Sequence, residues 1–295
     1  MKKRQIMIIP ILSLLMLLTG CINDEESSRV QYSVGVRLVT KTGELLPDSV
    51  AGTVHTYMFL SGRFVQEVLP EVNGRYYICF DNSQSMQLVA VGAGTVDSVS
   101  LVTPSVGEDI SSVCASLKYP SDSRSFASIA ETTPVNYLCY GSFAYTPGES
   151  LNDSTTATLT MMNKNVRIHI VIRHLLTQLG DGRYTVKLRG FRDALAFDGS
   201  IKGDSVEYAP HGSFDSEGTY STDIINAMPT ADGDHVTFSL YRDGYLIFTS
   251  GSDSDGSPIS LKPEDDKVIV VDVGKMGVNL NIIPWSDVNG STVFN

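Results

Sequence analysis

Thirty-three acidic against 22 basic side chains give this 295-residue chain a formal net charge of −11. Such a surface repels phosphate backbones and speaks against nucleic-acid binding. Charged residues make up 19% and hydrophobic residues 42%, ordinary globular values that exclude a largely disordered chain, and the length suffices for one large domain or two of typical size.

Lys2, Lys3 and Arg4 precede an apolar core, Ile6 to Leu18, broken only by Pro10 and Ser13. As a helix this core rises only ~20 Å, too short for a hydrocarbon layer of ~30 Å. Leu18-Thr19-Gly20-Cys21 then reads as a bacterial lipobox. Cleavage is expected between Gly20 and Cys21, with the Cys21 thiol carrying a palmitate-type diacyl anchor. Residues 1–20 are thus a lipoprotein signal peptide, and an uncleaved helix with an incidental cysteine is the competing reading. Its removal takes away three basic residues and no acidic ones, leaving 19 Lys+Arg against 33 Asp+Glu and a formal net charge of −14. Residues 21–28, with Asp24, Glu25 and Glu26, form a short acidic tether.

From Arg29 the dominant period is two. Val30, Tyr32, Val34, Val36 and Leu38 alternate with mainly polar or small residues, the pattern of a strand with one face buried. Further strands are expected at Val54–Leu60, Arg63–Leu69, Arg75–Phe80, Met86–Val91 and Ser98–Val102. Ser61-Gly62 and Asn73-Gly74 punctuate them as turns. Glu108–Leu117 is read as one short helix and Ser121–Thr133 as a loop. The Gly, Ser, Asn, Asp and Thr residues crowded between Gly148 and Thr158 suggest a linker.

A second set of strands follows. Val166, Ile168, Ile170 and Ile172 alternate with Arg167, His169, Val171 and Arg173. Arg183–Phe191, His235–Tyr241, Tyr245–Thr249, Lys267–Val273 and Val278–Pro284 complete it, with Arg242-Asp243-Gly244-Tyr245 as a tight hairpin. Many short strands without long helical periodicity predict an all-β chain of two tandem β-sandwich domains, 29–152 and 153–295.

Reactive groups do not converge in sequence. No G-x-S-x-G, H-E-x-x-H or phosphate-loop motif is present, and Gly92-Ala93-Gly94 lacks the third glycine of a dinucleotide loop. His169 and His174, five apart, face opposite ways on one extended strand, and no metal or cofactor is expected. Gly251–Ser257 mimics part of a calcium loop, with Asp253, Asp255, Ser257 and Glu264 at ligand spacing. Its sixth position is Pro258, which favours a surface turn. Cys79 reads as a small buried hydrophobe. A disulfide between Cys114 and Cys139 is possible in an exported protein, although sequence does not fix the connectivity. Trp285, the single tryptophan, is expected to pack over the end of a sandwich, with facing a partner as the alternative.

Several segments together carry a family likeness. They are the lipobox, Val54–Phe64, Gly74–Phe80, Leu88–Gly92, Tyr140-Gly141, Asn165–Ile170 and the closing Val278–Trp285. Their order along the mature chain resembles the FimB-like fimbrial anchor lipoproteins of Bacteroidetes, the fimbrillin-associated anchor family. The resemblance implies two transthyretin-like sandwiches and a non-enzymatic anchor subunit that tethers a fimbria to the outer membrane. Its partners would be a stalk subunit (a fimbrillin), joined by strand pairing, and the membrane, through lipid on Cys21. A proteolytically processed stalk or tip subunit and a surface glycan-binding lipoprotein are the alternatives.

In such an anchor the Arg29–Thr40 strand would be retained, and residues 287–295 would be a donor strand, an edge strand or a frayed end. Asp24, Glu25 and Glu26 resemble the Bacteroidetes signal for export to the outer face. The Asp-Ser-Val tripeptides at 48–50, 97–99 and 204–206 resemble an O-glycosylation site of the same phylum.

Overall fold

A computed structural model describes residues 29–38, 44, 53–70, 75–93, 99–119, 130–131, 138–148 and 156–288. The strands begin with β1 (Arg29–Leu38), β2 (Thr53–Leu60), β3 (Arg63–Glu67), β4 (Arg75–Asp81) and β5 (Met86–Ala93). Next come β6 (Val99–Leu101), β7 (Cys114–Leu117), β8 (Ala130–Glu131), β9 (Leu138–Tyr145) and β10 (Thr156–Asn163). After β11 (Val166–Arg173) and the short helix α1 (Leu175–Leu179) follow β12 (Tyr184–Ala196), β13 (Ile201–Tyr208), β14 (Gly212–Phe214), β15 (Tyr220–Thr222) and β16 (Ile225–Ala227). The set closes with β17 (Thr237–Arg242), β18 (Tyr245–Ser250), β19 (Asp266–Gly274) and β20 (Gly277–Pro284).

The N-terminal sandwich has the strand order β3-β2-β5-β9-β10-β1-β4. Strand β10 turns its corner. Thr156 to Met161 run parallel to β1, whereas Met162 and Asn163 pair with Tyr140 and Cys139 of β9. One layer is therefore β3-β2-β5-β9 and the other β10-β1-β4, with Met58, Ile78, Phe80, Met86, Leu88, Leu159 and Met161 packed in one core. Burying each such side chain contributes roughly 1.5–3 kcal/mol.

Strand β5 is apolar on both faces for a physical reason. Leu88 and Ala90 belong to that first core, while Val89 and Val91 belong to a second one shared with the rest of the chain. Strands covered on both sides lose the polar alternation.

The C-terminal sandwich packs the sheet β14-β15-β11-β19-β20, with β16 on β11, against the sheet β18-β17-β12-β13-β8. Ile168, Ile170, Ile172, Val186, Leu188, Phe238, Leu240, Ile269 and Val271 are among its fully buried core residues. Strand β12 is long enough to carry two neighbours along one edge, β17 at Tyr184–Arg189 and β7 at Ala194–Ala196. Strands β6, β7 and β8 thus come from the N-terminal half yet complete a sheet of the C-terminal sandwich. The change of sheet along the chain falls between β10 and β11. Of the expected linker, residues 149–155 lie outside the described residues, and Thr156–Thr158 belong to β10.

The expected strands form, and both tight hairpins have the required backbone. Ser61 and Gly62 have φ of 48° and 75°, and Asp243 and Gly244 have 53° and 85°. Positive φ at both turn positions matches the right-handed twist of the flanking strands. Asn73-Gly74 lies outside the described residues.

Three expectations are corrected. Glu108–Leu117 is not a helix: turns lead into β7. The Asp109 carboxylate accepts hydrogen bonds from the backbone N–H and hydroxyl of Ser111 at 2.9 and 2.7 Å, a local alternative to helical bonding. Ala130 and Glu131, expected in a loop, form β8 parallel to β13. Cys79 is exposed rather than buried, because Tyr76, Ile78 and Phe80 take the inward face of β4 and period two sends Tyr77 and Cys79 outward.

Candidate subunit-joining site

Strand β1 lies inside its layer, not at an edge. It pairs antiparallel with β4 from Arg29↔Asp81 to Gly35↔Arg75, and parallel with β10 from Ser33↔Thr156 to Leu38↔Met161. The register sets Val30, Tyr32 and Val34 opposite Phe80, Ile78 and Tyr76, all three of them buried. Without β1, two strand edges and an apolar face would stand open, and a strand supplied from elsewhere would satisfy both. Arg29 is separated from Cys21 by seven residues, so the two lie at most about 29 Å apart along extended chain. Gly20, Cys21, Asp24, Glu25 and Glu26 lie outside the described residues.

Two sheet edges, those of β3 and β20, are covered by loops of the chain itself. On β3, the Phe64 N–H donates to Glu108 O and the Gly107 N–H to Phe64 O, each at 2.8 Å. On β20, the Ser254 N–H donates to Leu280 O at 2.7 Å, and the Leu280 N–H donates to the Ser254 hydroxyl at 2.8 Å. Past Pro284 the chain makes a single 3₁₀ turn, Trp285–Asp287. Trp285 packs on the outer face of the β11-containing sheet with Val171, Val268, Val270, Ile283 and Val288. The Arg167 guanidinium lies 4.6 Å from its ring centroid and the His169 ring 5.4 Å away. The sequence placed Trp285 over a sandwich end; the structure places it on a sheet face. Asn289–Asn295 lie outside the described residues.

The remaining residues singled out by sequence are dispersed. His169 Nε2 is 2.7 Å from the Ser221 hydroxyl, and His174 Nδ1 is 2.8 Å from an Asp272 carboxylate oxygen. The Asp253 carboxylate is used within its own turn, accepting the N–H groups of Asp255 and Ser257 at 3.0 and 2.8 Å. Glu264 instead donates its N–H to Asn165 O. Among the described residues no group of three His, Cys, Asp or Glu is arranged to hold a metal.

The thiols of Cys79, Cys114 and Cys139 are free. Cys139 sits in the N-terminal core, where burial pushes its pKa up to about 11. Cys114 is on β7, and its thiol is raised chiefly by burial. The Cys114–Cys139 bridge is not formed. Of the Asp-Ser-Val tripeptides, Asp204 and Ser205 are exposed on β13 with Val206 buried, whereas Asp48–Val50 and Asp97-Ser98 lie outside the described residues.

Sequence reasoning missed the seam between the halves. Phe197, just after β12, is fully buried against Tyr57 and Phe59 of β2, with ring centroids 4.9 and 6.3 Å apart. The Tyr140 hydroxyl donates to Phe197 O at 3.0 Å, and the Leu138 N–H donates to Asn165 Oδ1 at 2.6 Å.

Two β-sandwiches that share one core, with the N-terminal strand interior to its layer, define a double-sandwich class of all-β protein. The chain belongs to the family of fimbrillin-A associated anchor proteins Mfa1 and Mfa2, whose signature matches residues 30–289. It is 25% identical over 148 residues to the major fimbrium anchoring subunit FimB of Porphyromonas gingivalis. That match covers 46% of this chain and 48% of the relative, so it spans about half the relative's length. The fold is that of the fimbrial anchor protein Mfa2 from Porphyromonas gingivalis, with TM-score 0.60 and 16% identity over 86% of this chain and 97% of the other. A proposed adhesin from Bacteroides ovatus matches at TM-score 0.59 and 14% identity, covering 90% and 98%.

Proposed function

We propose that this chain is a non-enzymatic fimbrial subunit, held at the outer membrane by lipid on Cys21, that tethers a fimbria to the cell. Its partners are a stalk subunit, joined by β-strand pairing, and the membrane; the acidic residues Asp24, Glu25 and Glu26 direct it to the outer face. Nucleic acid is not a partner of so acidic a chain. The observation that carries this reading is the place of β1, directly after the tether and interior to its layer between β4 and β10. A retained β1 keeps the protein's own core closed and keeps the lipid attached. A subunit that lost the same strand would open that groove to a neighbour.

The test is Cys21→Ala in cells that assemble the fibre. Fibres are expected in the medium, with the variant still folded, whereas fibres that stay on the cell would overturn the reading. Lipid and N-terminal analysis of the native protein separates the anchor from a processed stalk or tip subunit. An acylated Cys21 supports the anchor, and an N-terminus beyond an Arg or Lys within the mature sequence selects the processed subunit.

A further inference from the structure

Strand β18 ends its sheet, and among the described residues no strand pairs with its outer side. Tyr245, Leu246 and Ile247 are 78%, 53% and 40% exposed in succession. The stretch Gly244–Ser252 carries no charge between the flanking Asp243 and Asp253. Proteins blunt such edges with charge, proline or a covering loop, and the loops that cover β3 and β20 do this elsewhere in the molecule. We propose that β18 is a docking edge that accepts an extended, uncharged strand from a fibre subunit lacking a membrane anchor of its own.

Geometry and charge select that occupant. Strand β12 packs against the N-terminal sandwich at its Ala196 end and pairs with Arg242 of the β17–β18 hairpin at Tyr184. Twelve residue steps separate the two ends, roughly 40 Å. The hairpin therefore stands at the end of the C-terminal sandwich remote from the one that bears the tether, and β18 runs back along β12. A second copy pairing through the same edge would form a two-fold antiparallel strand pair. That arrangement turns the two N-terminal sandwiches, and their lipid tethers, in opposite directions, which one membrane surface does not accommodate. A subunit without an anchor has no such constraint. An uncharged strand also avoids burying an unmatched charge against the uncharged edge. The orientation argument rests on the reading of Cys21 as the anchor.

The experiment places a photoreactive benzoyl-phenylalanine at Tyr245 in the full-length protein in fibre-producing cells, with the same group at Met276, in the fully exposed β19–β20 turn, as control. Irradiation at position 245 is expected to yield an adduct whose cross-linked peptide is an uncharged segment of one fibre subunit. Adding Ile247→Lys should lower its yield at least tenfold while thermal unfolding is unchanged. An adduct with a second copy, an adduct equally strong from position 276, or a yield indifferent to Ile247→Lys would overturn the proposal. A parallel culture carrying Cys21→Ala separates the two ideas. Fibres retained there refute the anchor, whereas shed fibres without an adduct at 245 in the wild-type background refute only the docking edge.

Discussion

Tyr57 of β2 and Phe197 of the β12–β13 connection meet with ring centroids 4.9 Å apart, one from each half of the chain. Phe59 and Phe64 extend the contact on the N-terminal side, so the seam is aromatic and buried. Together with β7 docked on β12, it makes the two sandwiches share one core.

Truncating the seam should uncouple the halves. Phe197→Ala leaves a cavity between β2 and β12 and is expected to cost about 3–5 kcal/mol. Scanning calorimetry should show one cooperative transition in the wild type and two in the variant. A single transition shifted by less than 2 °C would mean that the seam carries little.

Gly190 has no room for a side chain. It sits in the bulge between Arg189 and Phe191 with φ of +107°, and an added Cβ would come 2.1 Å from the His235 carbonyl oxygen. The conformation alone costs a non-glycine residue about 1–3 kcal/mol, and the carbonyl belongs to backbone that cannot swing aside. Gly190→Ala should therefore lower the denaturant midpoint markedly. The equivalent change at Gly233, also at positive φ but with open space around it, should cost less.

Strand existence was legible because alternation is a local property. Val30 to Leu38 and Val166 to Arg173 declare their faces without reference to any partner. What stayed hidden was non-local. Nothing in Cys114-Ala115-Ser116-Leu117 says that it pairs with Ala194–Ala196, some eighty residues on. The alternation of Val113, Ala115 and Leu117, all buried, was nevertheless a strand signal that outweighs the helical reading of the same stretch. Cys79 was misread because its run is apolar throughout, and only the phase of Tyr76, Ile78 and Phe80 decides which side is wet. The site itself was half legible. The periodicity marked β1 as a strand, but its interior place depends on β10 arriving in parallel more than 120 residues later.

Ser254 should matter more than a surface serine ordinarily does. Its hydroxyl donates to Leu280 O at 2.8 Å and accepts the Leu280 N–H at 2.8 Å, covering the outer edge of β20. Ser254→Ala removes both side-chain bonds, at a cost of about 1 kcal/mol, or roughly 2–4 °C in a chain of this size. The sharper readout is amide exchange. Leu280 should exchange faster in the variant while its β19 partner Val271 is unaffected. Unchanged protection at Leu280 would show that the backbone bond from the Ser254 N–H suffices.

The lone tryptophan offers a pH readout of the sheet face it covers. Burial chiefly, and then the neighbouring Arg167 charge, hold His169 below the ordinary histidine value of 6.5. The unfolded chain takes up a proton at this position as pH falls through about 6.5, and the folded protein resists it. The neutral histidine's contribution is therefore fully present above that pH, declines as pH drops below it, and levels off once the folded form also titrates. His169→Gln should flatten the stability profile between about pH 7 and 5 relative to wild type, leaving the steeper loss at lower pH to the carboxylates. Trp285 lies 5.4 Å from the His169 ring, and a protonated imidazole quenches indole emission. Fluorescence of the folded protein should thus drop with a midpoint below 6.5, and that step should vanish in His169→Gln. A midpoint above 6.5 would mean that the charge is stabilised in this environment, reversing the assigned sign.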